Sequence, residues 1–295
     1  MAKTTGIAWC DSTFNPWRIC TPIGPGCDNC YAAALGHRFG LEYKQGVPRI
    51  RTSESYWKQP LAWNKKAAAS GKPWRVFCAS LADVFDNEVP DEWRHDLWRL
   101  IDATPHLDWL IVTKRIGNAE RMLPPTWINR AFPVDNVRIL ITVCNQEEAD
   151  RDIPKLLALP CKNGISYEPA LGSVDFRAWL PWKTRAYEGN PSIQWIIVGG
   201  ESGSKARPFD LAWARSTVAQ CKAAGVPVFV KQLGRYPMPE SDDLCGHRSK
   251  GHSFYRGWPL RYCDEDENVS VDLKDRTGAD PTEWPEDLRV REFPK

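Results

Sequence analysis

Short apolar runs, many of them rich in β-branched residues, recur along this chain at intervals too long for hairpins. Near-continuous apolar runs of this length predict strands that are buried on both faces, as in a parallel sheet. The runs cover residues 75–80, 109–113, 137–143, 164–167, 195–200 and 226–230. Between them, residues 90–101 and 211–224 carry apolar residues at helical spacing and follow typical helix-start signals. Strands that alternate with helices predict an α/β fold.

The number of strand runs indicates the kind of α/β fold. Six predicted strands, with a further one near the N-terminus, favour a partial or complete parallel (β/α) barrel. From about residue 234 the pattern gives way to proline, glycine and charged residues. We therefore predict a barrel domain over residues 1–235 and an irregular C-terminal extension over residues 236–295.

Composition and charge narrow the cellular setting and the partners. No apolar run approaches the roughly 18–20 residues of a membrane span, and the N-terminus has no apolar signal core. We expect a cytoplasmic protein without a membrane partner. Residues 264–295 contain 11 acidic and 5 basic residues, whereas 34 basic and 26 acidic residues precede them. A basic body is compatible with a polyanionic partner, and equally with an ordinary solvated surface.

Basic and aromatic residues are interleaved between residues 37 and 75. The aromatic members are Tyr56, Trp57, Trp63 and Trp74. Aromatic rings among cations suit stacking on bases and pairing with phosphates. The same mixture also occurs where lysine and arginine stems cover a core helix, so both interpretations stay open.

Polar residues follow each predicted strand, at the end where a (β/α) barrel places its active site. This succession favours a ligand site, although any single member is also a common helix cap. The residues are Ser80 and Asp83, Thr113, Lys114 and Arg115, Asn145 and Gln146, Glu168, Gly199, Gly200 and Glu201, and Lys231 and Gln232.

Three of the ten cysteines lie within eleven residues. Cys20, Cys27 and Cys30 share a loop with two prolines and two glycines, a composition that allows tight wrapping. Disulfides are rare in the cytoplasm, and clustered thiolates suit zinc or an iron–sulfur centre. Three ligands leave one iron of a four-iron, four-sulfur cluster open. A zinc site completed by Cys10 or a distant histidine, or simple buried thiols, are the alternatives.

The remaining cysteines fall into two groups. Cys78, Cys144, Cys161 and Cys221 lie in or beside predicted strands and helices, and we expect them to be small core residues. A second zinc site in the extension is a weaker prediction, because its spacing matches no standard finger. Its candidate ligands are Cys245, His247, His252 and Cys263.

Several sequence blocks, taken in order, carry a family resemblance. They are Asn15-Pro16-Trp17, the three cysteines with Tyr31, and residues 80–85, 110–115, 166–172, 198–203 with 206–208, and 229–234. Together they resemble a phage-encoded Cys-x6-Cys-x2-Cys family of unknown function. That family is itself similar to radical S-adenosylmethionine (SAM) enzymes, and distantly to the DNA photoproduct lyases.

The resemblance implies a radical-SAM type of barrel with two cofactors, a four-iron, four-sulfur cluster and SAM. It implies an enzyme that acts on nucleic acid or a modified base, in phage DNA modification or repair, with an electron-donor protein as partner. It implies Cys20, Cys27 and Cys30 as iron ligands and assigns no catalytic residue. The implied cofactor-binding residues are Tyr31, Ser80, Asp83, Thr113, Lys114, Glu168, Gly199, Gly200 and Glu201. The implied substrate-binding residues are Asn15, Trp17, Arg115, Lys231 and Gln232.

The sequence departs at three places from the patterns of radical-SAM enzymes and of the family that it resembles. The first cysteine gap is six residues rather than the usual three of radical-SAM enzymes, and Gly199-Gly200-Glu201 follows a late strand rather than an early one. Cys144 stands where family members often have glutamate. Two other classes therefore stay open, a zinc-stabilised nucleic-acid-binding module without catalysis and an inactive barrel that serves a partner protein.

Overall fold

The computed structural model describes residues 5–129, 134–181, 191–239, 254–255, 258–262 and 269–294. Its strands are β1 (Ser12–Phe14), β2 (Trp17–Arg18), β3 (Ile50–Arg51), β4 (Trp74–Cys78), β5 (Leu107–Thr113), β6 (Val137–Thr142), β7 (Lys162–Tyr167), β8 (Ile196–Gly199), β9 (Phe209–Asp210), β10 (Val228–Gln232), β11 (Pro237–Met238), β12 (Phe254–Tyr255), β13 (Trp258–Tyr262) and β14 (Val269–Val271). Its helices are α1 (Tyr31–His37), α2 (Glu54–Trp57), α3 (Gln59–Ser70), α4 (Asp91–Asp102), α5 (Ile116–Met122), α6 (Pro125–Ile128), α7 (Gln146–Leu157) and α8 (Leu211–Ala224).

A seven-stranded sheet forms the centre of the fold, in the order β1-β4-β5-β6-β7-β8-β10. Strand β4 pairs in parallel with β1 and β5, β6 pairs in parallel with β5 and β7, and β8 pairs in parallel with β10. Its order is open, with β1 at one end and β10 at the other, so the fold is the partial form of the predicted barrel. The α/β prediction is confirmed, and each predicted strand run coincides with a strand to within a few residues.

Burial explains why the apolar runs form this sheet. All six residues of β6 are buried, including Arg138 and Thr142. The neighbouring strands place Trp109 opposite Val137 and Ile111 opposite Ile139. Strands covered on both faces have no need for the alternation of an exposed sheet, which is why continuous apolar runs marked them.

The two helices predicted in most detail are confirmed almost to the residue. Helix α8 follows Asp210, whose carboxylate accepts a hydrogen bond from the Ala212 amide at 2.8 Å, and ends at Gly225 with φ of 75°. Asp210 satisfies an amide that the first turn leaves unpaired, and Gly225 takes the left-handed conformation that ends the helix. Helix α4 carries two acidic residues in its first turn and buries a single face.

The chain divides into two compact units. The first unit contains residues 1–142 and 151–166, and the second contains residues 143–150 and 167–295. In the first unit, the rings of Phe14 and Tyr56 stack with centroids 5.2 Å apart. In the second unit, Trp195 and Phe229 are buried and pack edge to face.

The C-terminal extension is irregular only in part. Strands β12, β13 and β14 form a small antiparallel sheet. Further on, Trp284 and Leu288 are buried in the second unit. The predicted domain boundary at residue 235 stays a prediction. Among the residues that the structure describes, no helix is both long enough and apolar enough to cross a membrane.

Candidate functional site

The three clustered cysteines lie on one loop of the first unit, between β2 and α1. Cys27 ends a short 3-10 turn that begins at Pro25, and Cys30 directly precedes α1. All three thiols are free and half-buried. The Cys30 amide donates to the Cys27 carbonyl at 3.2 Å, so a local turn brings these two residues together.

The loop is anchored just before Cys20. Ile19 is buried, and its amide donates to the Leu81 carbonyl at 3.1 Å. Its φ is 77°, a conformation that a β-branched residue rarely adopts without support from its surroundings. Tyr43 donates to the same Leu81 carbonyl at 3.1 Å. The start of the cysteine loop is therefore tied to the segment that follows β4.

Thr21, the residue after Cys20, is held by two arginines. Arg49 is fully buried, donates to the Thr21 hydroxyl at 2.8 Å and pairs with Asp86 at 2.7 Å. The side chain of Arg115 donates to the Thr21 carbonyl. Sequence reasoning missed the role of Arg49, because locally it is only one member of a run of basic residues.

The Asp83 carboxylate is the centre of a hydrogen-bond network in the first unit. One carboxylate oxygen accepts from the Thr113 hydroxyl at 2.8 Å and the Phe85 amide at 3.0 Å. The other accepts from the Lys114 amide at 3.0 Å and the Arg115 side chain at 3.2 Å. Asp83 thus connects the segment after β4 to the end of β5. The structure brings these predicted residues together, as a buried network rather than an open set of ligands.

Asn15 and Tyr31 both bind the segment after β4 through hydrogen bonds. Asn15 is buried; its amide group donates to the Ser80 hydroxyl at 3.1 Å and accepts from the Leu81 amide at 2.7 Å. Tyr31 is 55% exposed, and its hydroxyl donates to the Ser80 carbonyl at 2.5 Å. The ring of Tyr31 is therefore fixed beside Cys30 with a face toward solvent.

Two predicted substrate-binding residues lie near the N-terminus. Asn15 binds Ser80, and Trp17 lies in the core. Trp17 is fully buried and packs against Trp93 with ring centroids 6.5 Å apart, which favours a core role. Among the interleaved cations and aromatic rings, the Arg51 guanidinium lies 4.1 Å from the centre of the Trp57 ring. A base stacked on Trp57 would have to replace Arg51.

Two charged side chains near Cys20 shift the pKa of its thiol in opposite directions. Burial, followed by the negative charge of Asp83, raises the pKa of the Cys20 thiol to about 12, while Arg115 opposes the rise. Cys27 and Cys30 add to it, so the three thiols lie within electrostatic reach of one another. Within the described ranges, no three His, Cys, Asp or Glu side chains form a ready-made group for a metal ion.

The predicted residues of the second unit form a separate group. Lys231 pairs with Glu168 at 3.0 Å, and the lysine is the more exposed partner. A β-carbon placed on Gly199 would lie 3.1 Å from a Glu168 carboxylate oxygen, so glycine leaves room for that side chain. Gln232 donates from its side chain to the Gly200 carbonyl at 2.7 Å.

Glu201 is engaged by Arg207. The carboxylate accepts from the Arg207 amide at 2.8 Å and from its guanidinium at 2.5 and 3.1 Å. Gly200 is tightly enclosed, since a β-carbon there would lie 2.8 Å from Phe209. These contacts explain the residues of the Gly-Gly-Glu segment by packing and hydrogen bonding within the protein, without a ligand.

Of the four cysteines predicted to be core residues, three lie in the core and Cys161 does not. Cys78, Cys144 and Cys221 are fully buried and Cys161 is half-buried. The four candidate zinc ligands of the extension, from Cys245 to Cys263, lie outside the described residues.

The chain belongs to the family described as "Protein of unknown function (DUF5131)", whose match covers residues 4–271. The comparison with curated proteins finds no match. Among solved structures, the chain is similar to "Spore photoproduct lyase complexed with dinucleoside spore photoproduct", at 11% identity and a TM-score of 0.42, covering 94% of this chain and 72% of that one. A mutant of that lyase "with bound AdoMet and dinucleoside spore photoproduct" is similar at 10% identity and the same TM-score, with the same coverage.

Proposed function

We propose that this chain is a radical-SAM enzyme, that Cys20, Cys27 and Cys30 bind a four-iron, four-sulfur cluster, and that the substrate is nucleic acid or a modified base within it. The observation that carries the proposal is the cysteine loop itself. It presents three free thiols within eleven residues, and its Thr21 is held by Arg115, which follows β5. A loop fixed in this way supports a cofactor at the carboxyl ends of the parallel strands, where (β/α) folds bind ligands.

The donor set fits such a cluster. Cys20, Cys27 and Cys30 would hold three irons of the cluster and would leave one iron open for SAM, whereas structural zinc usually takes four protein ligands. When bound and reduced by one electron, the two cofactors supply a 5′-deoxyadenosyl radical. The protein contributes placement and the exclusion of water.

The side chains of the first unit have distinct parts in this proposal. Cys20 is half-buried, with Asp83 and Arg115 both close enough to influence its thiol, and this thiol would have to lose a proton when metal binds. Tyr31, exposed and anchored to Ser80, directly follows the last cysteine of the loop. The hydrogen-bond networks around Asp83 and Asn15 hold the cysteine loop in place against the strand ends.

In the second unit, Glu168 and Lys231 are the residues that we propose for SAM or substrate. A carboxylate of this kind suits an ammonium group, and an accessible lysine suits a carboxylate or a phosphate. Lys231 is paired with Glu168 but still partly exposed. The net positive charge of residues 1–263 supports a polyanionic substrate. An electron-donor protein completes the proposal.

The test is anaerobic reconstitution with iron and sulfide, followed by reduction in the presence of SAM. We expect a brown protein with about four irons and four sulfides per chain, and formation of 5′-deoxyadenosine. Replacing Cys20, Cys27 or Cys30 by alanine abolishes both, whereas Cys161→Ala, a matched control outside the loop, retains them.

A colourless protein that binds zinc and forms no deoxyadenosine would overturn this proposal. Salt-dependent DNA binding by that zinc form would then support the alternative, a zinc-stabilised nucleic-acid-binding module.

A further inference from the structure

Arg115 contacts both Asp83 and Thr21 in the first unit. One guanidinium nitrogen donates to Asp83 and another to the carbonyl of Thr21, next to Cys20. The Arg115 side chain is largely buried, as is that of Asp83. The Arg115 side chain therefore connects the end of β5 to the cysteine loop.

We propose that Arg115 is a positioning residue for the cluster: it fixes the cysteine loop at Thr21 before any metal binds, and its charge, balanced by Asp83, sets the reduction potential at Cys20. The inference rests on the proposed function, since the potential exists only when a cluster is bound. The fixed loop does not depend on it.

The mechanical part follows from the shape of the guanidinium group. Its fork allows two nitrogens to serve two acceptors that lie in different directions, whereas a lysine ammonium is a single point at the end of a flexible stem. Arg115 uses the fork in this way, toward a carboxylate and a carbonyl. A lysine at position 115 keeps the charge and loses one of the two contacts. Arg49 on the Thr21 hydroxyl cannot replace the lost bond to the carbonyl.

The electrostatic part follows from the opposite signs of the buried pair. Reduction adds negative charge to a cluster, so a nearby cation makes reduction easier and a nearby anion makes it harder. Arg115 donates to the carbonyl of Thr21, the residue after Cys20, and pairs with Asp83 at 3.2 Å, so two opposite charges lie beside the cysteine loop. Removing either charge leaves the other one buried and unbalanced, where screening by salt is weak.

The first arm of the experiment uses the metal-free chain and hydrogen exchange over residues 19–30. We expect Arg115→Lys and Arg115→Gln to exchange there about tenfold faster or more than wild type, because a charged hydrogen bond is lost. Arg99→Gln, a matched control on the exposed side of α4, exchanges like wild type. Equal exchange in all four proteins overturns the mechanical part.

The second arm measures the midpoint potential of the reconstituted cluster. We expect Arg115→Gln to shift it to more negative values, Asp83→Asn to shift it to more positive values, and Arg115→Lys to stay near wild type. Shifts of the same sign in Arg115→Gln and Asp83→Asn, or none, overturn the electrostatic part. Thermal unfolding shows whether each variant folds. If Asp83→Asn does not fold, the comparison of Arg115→Gln with Arg115→Lys decides whether the charge at position 115 sets the potential.

The two failures are distinguishable. A wild-type chain that takes up no cluster overturns the proposed function and the electrostatic part together, while the exchange arm still reports on the loop. A wild-type cluster whose potential and loop are unaffected by the Arg115 variants overturns this inference alone.

Discussion

Several polar side chains at the strand ends already form hydrogen bonds or ion pairs with other residues of the protein. Asp83 accepts four hydrogen bonds, and Glu201 is held by Arg207. Lys231 and Tyr31 keep part of their surface accessible. A polar residue after a strand therefore has two uses, to bind a ligand or to fix the loop that surrounds it. Residue type alone does not separate them, because both uses need the same donors and acceptors.

The Gly-Gly-Glu segment provides a test at this scale. A β-carbon on Gly200 would lie 2.8 Å from Phe209 and 2.9 Å from the Leu233 carbonyl, whereas nothing lies within 4 Å of one on Gly203. We expect Gly200→Ala to lower the free energy of unfolding by about 1–3 kcal/mol through overpacking. Gly203→Ala, three residues away, should change it by no more than about 0.5 kcal/mol. Urea unfolding of both variants measures the difference, and equal stabilities would contradict the close packing at Gly200.

At the scale of elements, the end of the chain covers the edge of the sheet. The Val230 amide donates to the Val290 carbonyl at 2.8 Å, and the Glu292 amide donates to the Val228 carbonyl at 3.0 Å. Phe229 and Arg291 form an antiparallel bridge between the two segments. An uncovered edge strand exposes a row of unpaired backbone groups and invites association with other chains. The last residues therefore have a structural use that their composition of proline and charge did not indicate.

Shortening the chain tests this role. A chain that ends at residue 288 loses both backbone bonds to β10, and we expect faster amide exchange at Val230 together with concentration-dependent aggregation. A chain that ends at residue 294 keeps the bridge and serves as the control. Hydrogen exchange and light scattering measure the two effects. Unchanged exchange at Val230 in the shorter chain would show that the edge is protected in another way.

At the scale of the whole molecule, buried thiols make stability depend on alkaline pH. Burial raises the pKa of Cys161 and of Cys221 to about 12, and it also raises the pKa of Cys78. The unfolded chain ionises these thiols near their ordinary pKa of 9.0, while the folded chain keeps them protonated. Their contribution to stability is therefore complete below about pH 9 and is lost as the pH rises toward 12.

Cys221 is suited to a test of this dependence, since it is fully buried in α8. The free energy of unfolding should fall with pH above 9, with a slope of at most about 1.4 kcal/mol per pH unit for each such thiol. Cys221→Ala removes one ionisable group and should make the fall shallower by up to that amount. Anaerobic urea unfolding from pH 8 to 10.5 measures both slopes. Parallel curves for the two proteins would contradict the burial effect at this thiol.

The sequence by itself determined six central strands, the helices α4 and α8, the α/β class and the cysteine loop. Helix α8 between Asp210 and Gly225 is the clearest case, because its start, its end and its apolar residues are local signals. The strands were equally visible, since burial on both faces leaves a continuous apolar run. Three cysteines in eleven residues identified a candidate metal site in the same local way.

Only the tertiary structure decided what surrounds that loop. Thr21 meets Arg49 across 28 positions of the chain and Arg115 across 94, and β10 meets its covering segment about sixty residues away. A hydrogen bond between distant residues leaves no periodic pattern in a sequence, because it depends on where the folded chain brings each donor. For this reason Arg49 was indistinguishable from its basic neighbours until its burial against Asp86 was known.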